Sequence, residues 1–89
     1  RQGDVLVEID PRPFQAQLTQ VEGQMARDNA LLTNARIDLD RYRILLAQDS
    51  IAKQQLDTQE ALVRQLQGTV QADQAQVDNA VLLETLAAP

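Results

Sequence analysis

The chain has 89 residues, a net charge of −5, no cysteine, no histidine and one residue each of Phe and Tyr as its only aromatic side chains. The missing thiols and imidazoles exclude disulfides, zinc sites of the usual kind and His-dependent catalytic triads. The acidic balance opposes a duplex nucleic-acid partner, because such partners bind clusters of Lys and Arg through their phosphates.

The first ten residues are typical of a short β-strand. Val5, Val7 and Ile9 occupy alternate positions after a Gly-Asp turn. One strand is not stable alone, so it must pair with strands that are not evident elsewhere in this chain. Pro11 and Pro13 then suit the first turn of a helix, and Asp10 suits its N-cap.

A hydrophobic ladder follows, which runs in one direction, turns once and returns. The steps between its positions alternate between three and four residues, which is the 3.5-residue repeat of left-handed coiled coils. The positions of its first arm are Phe14, Leu18, Val21, Met25, Asp28, Leu32, Ala35, Leu39, Tyr42 and Leu46. The positions of its second arm are Leu56, Gln59, Val63, Leu66, Val70, Asp73, Val77 and Ala80.

The two arms pair with a constant register. The residue numbers of paired positions have a nearly constant sum. The sum is 102 for Leu39 and Val63, and it is 101 or 102 for the other pairs. A constant sum requires antiparallel helices. We therefore predict a mainly α fold, a long antiparallel two-helix coiled-coil hairpin. Its first helix should run from Pro11 or Pro13 to Ala47 or Gln48. Its turn should span residues 48–51, and its second helix should run from about residue 51 to the low eighties, capped by Asp49 or Ser50.

Two positions of the ladder carry carboxylates. Asp28 and Asp73 fall in one layer of the seam, where like charges are costly and raise a pKa. Three arrangements stay open: a wet layer, an arginine such as Arg27 reaching over it, or a local slip that brings Leu31 or Ala75 inward. A general acid–base site is the less favoured alternative, since no nucleophile or metal ligand accompanies the pair. A polar layer that specifies the register is the preferred interpretation.

Three segments, in this order, resemble the periplasmic adaptors, or membrane fusion proteins, of tripartite multidrug efflux pumps. Residues 2–11, QGDVLVEIDP, are similar to the first half of the adaptors' split lipoyl domain. The hairpin begins directly after that half, as it does in the adaptors. Residues 41–57, RYRILLAQDSIAKQQLD, are similar to the adaptor tip pattern R-Y-x-x-L-x-x-x-x-x-I-S-x-x-x-x-D. Residues 10–42 are close to the adaptors of MdtABC-type pumps, which serve resistance-nodulation-division (RND) transporters.

The resemblance implies that the hairpin tip docks onto a TolC-like outer-membrane channel. Arg41 and Leu45 match the Arg and Leu of the adaptor tip pattern, whereas Ala52 stands where the pattern has Ser. Ser50 and Lys53 complete the predicted partner-binding set. Because the pattern's Ser would cap the second helix, we expect the cap to move back to Ser50 or Asp49.

The resemblance also implies the rest of the organisation. Residues 1–10 would be a partial lipoyl half, 11–86 the hairpin, and 87–89 the start of the return to that domain. The segment 82–89 is shorter than the usual return strand and lacks its Tyr. Implied partners are an RND inner-membrane transporter and further copies of the adaptor, as a hexamer or a trimer of dimers. The implied location is the periplasm of a Gram-negative bacterium, at the inner membrane.

We expect no enzyme activity, catalytic residue, cofactor or metal, and no nucleic-acid partner. Two alternatives remain. One is a generic structural coiled coil without a docking tip. The other is a helical nucleic-acid-binding arm like that of seryl-tRNA synthetase, which would need a basic shaft. The tip, residues 36–53, carries four basic and three acidic side chains. The remainder of the chain is acidic, which opposes the second alternative.

Overall fold

The computed structural model describes residues 10–87, which form an antiparallel two-helix hairpin. Helix α1 spans Arg12–Ala47 and helix α2 spans Lys53–Ala87, with residues 48–52 between them. The 36 residues of α1 correspond to a rod of about 54 Å. The predicted hairpin is confirmed. The strand predicted at residues 5–9, and with it the lipoyl half, lies outside the described residues.

The seam between the helices follows the predicted ladder. Every predicted ladder position is buried or half-buried, whereas several large apolar residues outside the ladder, Ile37 and Ile44 among them, are exposed. The residues of the central cluster are Leu32, Ala35, Leu39 and Val63, with Leu56, Leu66 and Val70 packed against them. Each well-buried Leu or Val side chain stabilises the rod by about 1.5–3 kcal/mol. The rod therefore holds its shape through a thin seam and needs no globular core.

The start of α1 differs from the prediction by one residue. Pro11, not Asp10, occupies the N-cap position and makes no side-chain capping bond. Asp10 nevertheless satisfies a free donor of the first turn, because its Oδ1 accepts a hydrogen bond from the backbone N–H of Arg12 at 3.0 Å. The Arg12 guanidinium also donates to this carboxylate, and these hydrogen bonds lower the pKa of Asp10.

Helix α2 continues past the low eighties and ends at Ala87, so residues 82–86 are its last helical turns, within one residue of the predicted hairpin bound at residue 86. Asp73, Ala80 and Ala87 are all buried and follow one another at seven-residue intervals, so the seam extends to the end of the helix. Within residues 10–87, neither helix has a stretch long and apolar enough to cross a membrane.

Candidate functional site: the hairpin tip

Helix α1 ends at the tip in a Schellman motif. The backbone N–H of Ser50 donates to the carbonyl oxygen of Leu45 at 2.8 Å, and that of Asp49 donates to Leu46 at 3.0 Å. Asp49 lies in the left-handed region with φ 57°, which this motif requires at the residue after the C-cap. These bonds satisfy the last carbonyls of the helix and give the turn one defined conformation.

Helix α2 starts two residues later than predicted, and the expected cap by Ser50 or Asp49 is wrong. Ala52 directly precedes the first helical residue, Lys53, and so occupies the N-cap position. The side-chain oxygen of Gln55 accepts a hydrogen bond from the Ala52 N–H at 3.1 Å. Asp49 and Ser50 are instead committed to the end of α1, where the Ser50 hydroxyl faces the Gln48 carbonyl at 3.5 Å.

The N-terminus of α2 has only one of the two hydrogen bonds of a capping box, and the reason is the side chain at residue 52. In a capping box, the N-cap side chain bonds forward to a free N–H while a Glu or Gln three residues later bonds back. Here Gln55 makes the backward bond, but Ala52 has no side-chain oxygen for the forward one, and the N–H of Gln55 donates to the Ala52 carbonyl oxygen at 3.0 Å instead. The Ala-x-x-Gln spacing could have revealed this role of Gln55 from the sequence.

The basic side chains of the tip are held by exposed local ion pairs. Arg41 Nη1 lies 3.3 Å from Asp38 Oδ1, and its side chain is 63% exposed. Lys53 Nζ lies 3.0 Å from an oxygen of Asp57, one helical turn along α2. Such exposed pairs are worth at most about 1 kcal/mol, so an external carboxylate or carbonyl can replace the internal partner at little cost.

A different arginine connects the two helices below the turn. Arg43 Nη1 lies 3.3 Å from Asp40 on its own helix, and Nη2 lies 3.7 Å from Glu60 on α2. These ion pairs of Arg43 therefore connect the end of α1 that carries Arg41 to the start of α2.

The apolar part of the tip is small. Leu45 is half-buried and Ile44, its neighbour, is 59% exposed. Ala52 is exposed and lines a shallow depression of about 320 Å³ together with Tyr42 and Gln55. Sequence reasoning overlooked Ile44, although an Ile outside the seam repeat is itself a signal of an exposed contact.

The five residues predicted to bind a partner all lie at this end of the hairpin. Leu45 and Ser50 are joined by the backbone hydrogen bond of the turn, and Lys53 follows Ala52 at the start of α2. Arg41 lies about one and a half turns before the end of α1. Their roles in binding stay predictions, because the geometry establishes only where they lie.

A second polar cluster lies in the middle of the shaft, at Asp28 and Asp73. The two residues are 3% and 2% exposed, so the layer is closed and a wet layer is the wrong alternative. Local slip is wrong as well, since Leu31 is 48% exposed and Ala75 is also exposed. The expected arginine contact is confirmed: Arg27 Nε donates to Asp28 Oδ1 at 3.2 Å.

The buried carboxyl groups of Asp28 and Asp73 face each other across the seam, which places residues 28 and 73 in register as predicted. Interaction with the Asp73 carboxyl lowers the pKa of Asp28. Interaction with the Asp28 carboxyl, together with burial, raises the pKa of Asp73. No group of three or more potential metal ligands occurs between residues 10 and 87.

Residues 17–83 match a family model described as "RND MFP, alpha-helical hairpin domain". The multidrug resistance protein MdtA of Yersinia enterocolitica is 59% identical over 80 residues, which cover 90% of this chain and 18% of that protein. MdtA proteins of Yersinia pestis and Yersinia pseudotuberculosis are each 56% identical over 80 residues, with the same coverage. The chain thus spans about a fifth of the length of these relatives. It belongs to the RND membrane fusion protein family, and its hairpin is of the type found in MdtA adaptors.

Proposed function

We propose that this hairpin is the part of an RND-type multidrug efflux adaptor that reaches the outer-membrane channel, and that its tip docks onto a TolC-like protein. The observation that carries the proposal is the tip itself. A Schellman turn holds Leu45 in place, and Arg41 is exposed below it. The match of residues 17–83 to the adaptor hairpin supports the same conclusion.

The proposed contact is polar and weak in each copy. Arg41 presents several N–H donors in a planar fork, which suits carboxylates and carbonyls at the end of a channel. Because its pair with Asp38 is exposed, Arg41 can exchange that partner for one on the channel. Leu45 and Ile44 add a small apolar contact, and Lys53 adds a second cation from α2.

Several copies around one channel would convert weak contacts into firm attachment. Docking of one copy brings its neighbours to a high effective concentration, so avidity exceeds the affinity of a single tip. This is consistent with self-association as a hexamer or a trimer of dimers. The shaft acts as a non-catalytic spacer in the periplasm, which links the channel to the RND transporter at the inner membrane.

The proposal is tested in the full-length adaptor, expressed with its transporter and channel. Arg41→Asp and Leu45→Asp are expected to abolish drug efflux and to prevent co-purification of the channel, while adaptor abundance stays normal. Arg64→Asp and Leu62→Asp are the matched controls, because both residues are exposed on the shaft of α2. These controls should leave efflux unchanged.

Full efflux by the Arg41 and Leu45 variants at normal abundance would contradict docking by this tip. That result would favour the plain structural coiled coil, in which the residues of the tip are replaceable. Channel binding by the tip variants together with lost efflux would also contradict the proposed role, since it would separate the tip from attachment.

A further inference from the structure

The carboxyl layer in the shaft has fewer donors than its oxygens require. Gln24 Nε2 donates to Asp73 Oδ1 at 3.3 Å, and Arg27 Nε donates to Asp28 Oδ1 at 3.2 Å. The Oδ2 atom of each aspartate is buried and has no N–H or O–H donor among the described residues. A buried carboxylate oxygen without a donor is costly, because its hydration is lost and not replaced.

One proton supplies the missing donor. A protonated carboxyl donates an O–H to the facing carboxylate, which lowers the number of unsatisfied oxygens and removes the repulsion between two negative charges. We propose that Asp28 and Asp73 share one proton in the seam and make the hairpin shaft proton-sensitive, closed with that proton and loosened when both groups are ionised. This property is independent of the docking of the tip.

The surrounding charges do not remove the need for this proton. From α1, the charged group that faces the pair is Arg27, whose side chain is 68% exposed and therefore largely screened by solvent. From α2, the charged group at this layer is Asp73 itself. The remaining polar contact of the pair is Gln24 of α1, whose side chain is neutral. One screened cation thus faces two enclosed carboxylates.

The direction of the pH response follows from the two pKa shifts. The pKa of Asp73 is raised in the folded state, so its contribution to stability is lost as pH rises through that value. The pKa of Asp28 is lowered, so its contribution is lost only when the pH falls through that lower value. The layer is therefore most stable between the two pKa values, which lie on either side of the ordinary aspartate value of 3.8, and it weakens as the pH rises above the pKa of Asp73.

The test measures thermal unfolding of the 89-residue chain by circular dichroism from the ordinary aspartate pKa of 3.8 up to neutral pH. The parent chain should lose several degrees of Tm as the pH rises over this range. Asp73→Asn should remove this loss and melt higher than the parent at neutral pH, because an amide N–H replaces the shared proton. Asp28→Asn should also remove the loss, since the donor then comes from residue 28.

Asp78→Asn is the matched control, because Asp78 is exposed on the same helix as Asp73. It should melt with the same pH dependence as the parent. Carboxyl-carbon NMR of the parent gives an independent readout, in which Asp73 should titrate above and Asp28 below ordinary aspartate. Parallel Tm curves for the parent and Asp73→Asn, or two ordinary titrations by NMR, would overturn the shared proton.

Discussion

The side-chain oxygen of Gln55 and the backbone N–H of Ala52, 3.1 Å apart, form one half of a capping box at the tip of the hairpin. The other half is missing because Ala52 has no hydroxyl. This relationship defines what the departure from the adaptor tip pattern costs. The alanine leaves the N-cap in place and removes one bond from it.

Ala52→Ser should therefore stabilise the hairpin. The new hydroxyl can accept a hydrogen bond from the N–H of Gln54, or share the N–H of Gln55, which already donates to the carbonyl oxygen of residue 52. Such a cap adds about 1 kcal/mol to the free energy of unfolding. The measurement is the urea midpoint of the 89-residue chain. Ala61→Ser is the control, since Ala61 is exposed inside α2 and serine there should slightly destabilise the helix. Equal effects at the two positions would argue against capping at residue 52.

Asp49→Gly should also stabilise the tip. Residue 49 has a positive φ of 57°, which L-residues adopt at a cost and glycine adopts freely. We expect a gain of up to about 1 kcal/mol in the free energy of unfolding, read from thermal melts. Gln48→Gly should instead lower stability, because Gln48 has an ordinary φ of −95°. A loss of stability in Asp49→Gly would show that the aspartate side chain matters more than the backbone strain.

Gly23→Ala and Gly68→Ala should each raise the free energy of unfolding by about 0.4–1 kcal/mol. Both glycines lie inside helices, and a Cβ added to either meets nothing within 4 Å. Alanine then improves helix propensity and restricts the unfolded chain. Denaturant titration of the 89-residue chain provides the measurement. A destabilised variant would mean that the helix needs glycine at that position.

The same two variants, placed in the full-length adaptor, report on assembly. Efflux should be unchanged if no other chain packs closely against these glycines. Loss of efflux by a more stable hairpin would instead identify the glycine as a point of close approach by a neighbouring chain.

The 3.5-residue spacing and the constant sum of paired residue numbers were sufficient to predict the hairpin, the end of α1 and the burial of residues such as Leu39 and Val63. Repeating apolar positions allow antiparallel registers that differ by whole heptads, and the short connection between the helices selects one of them. The region of the tip followed from the same register. The predicted site residues could thus be placed at one end without any knowledge of side-chain contacts.

The local details depended on tertiary geometry. The sequence offered two adjacent cap residues for α2, Asp49 and Ser50. The cap position falls at Ala52 because the Schellman turn uses both of those residues to end α1. The state of the Asp28–Asp73 layer was likewise open, since periodicity places two carboxylates together but does not say whether water reaches them. Close packing of the two helices excludes water there. The repeat of the sequence thus determined which residues face each other across the seam. The packing of the folded hairpin decided which of their polar groups lose contact with water and need a partner within the protein.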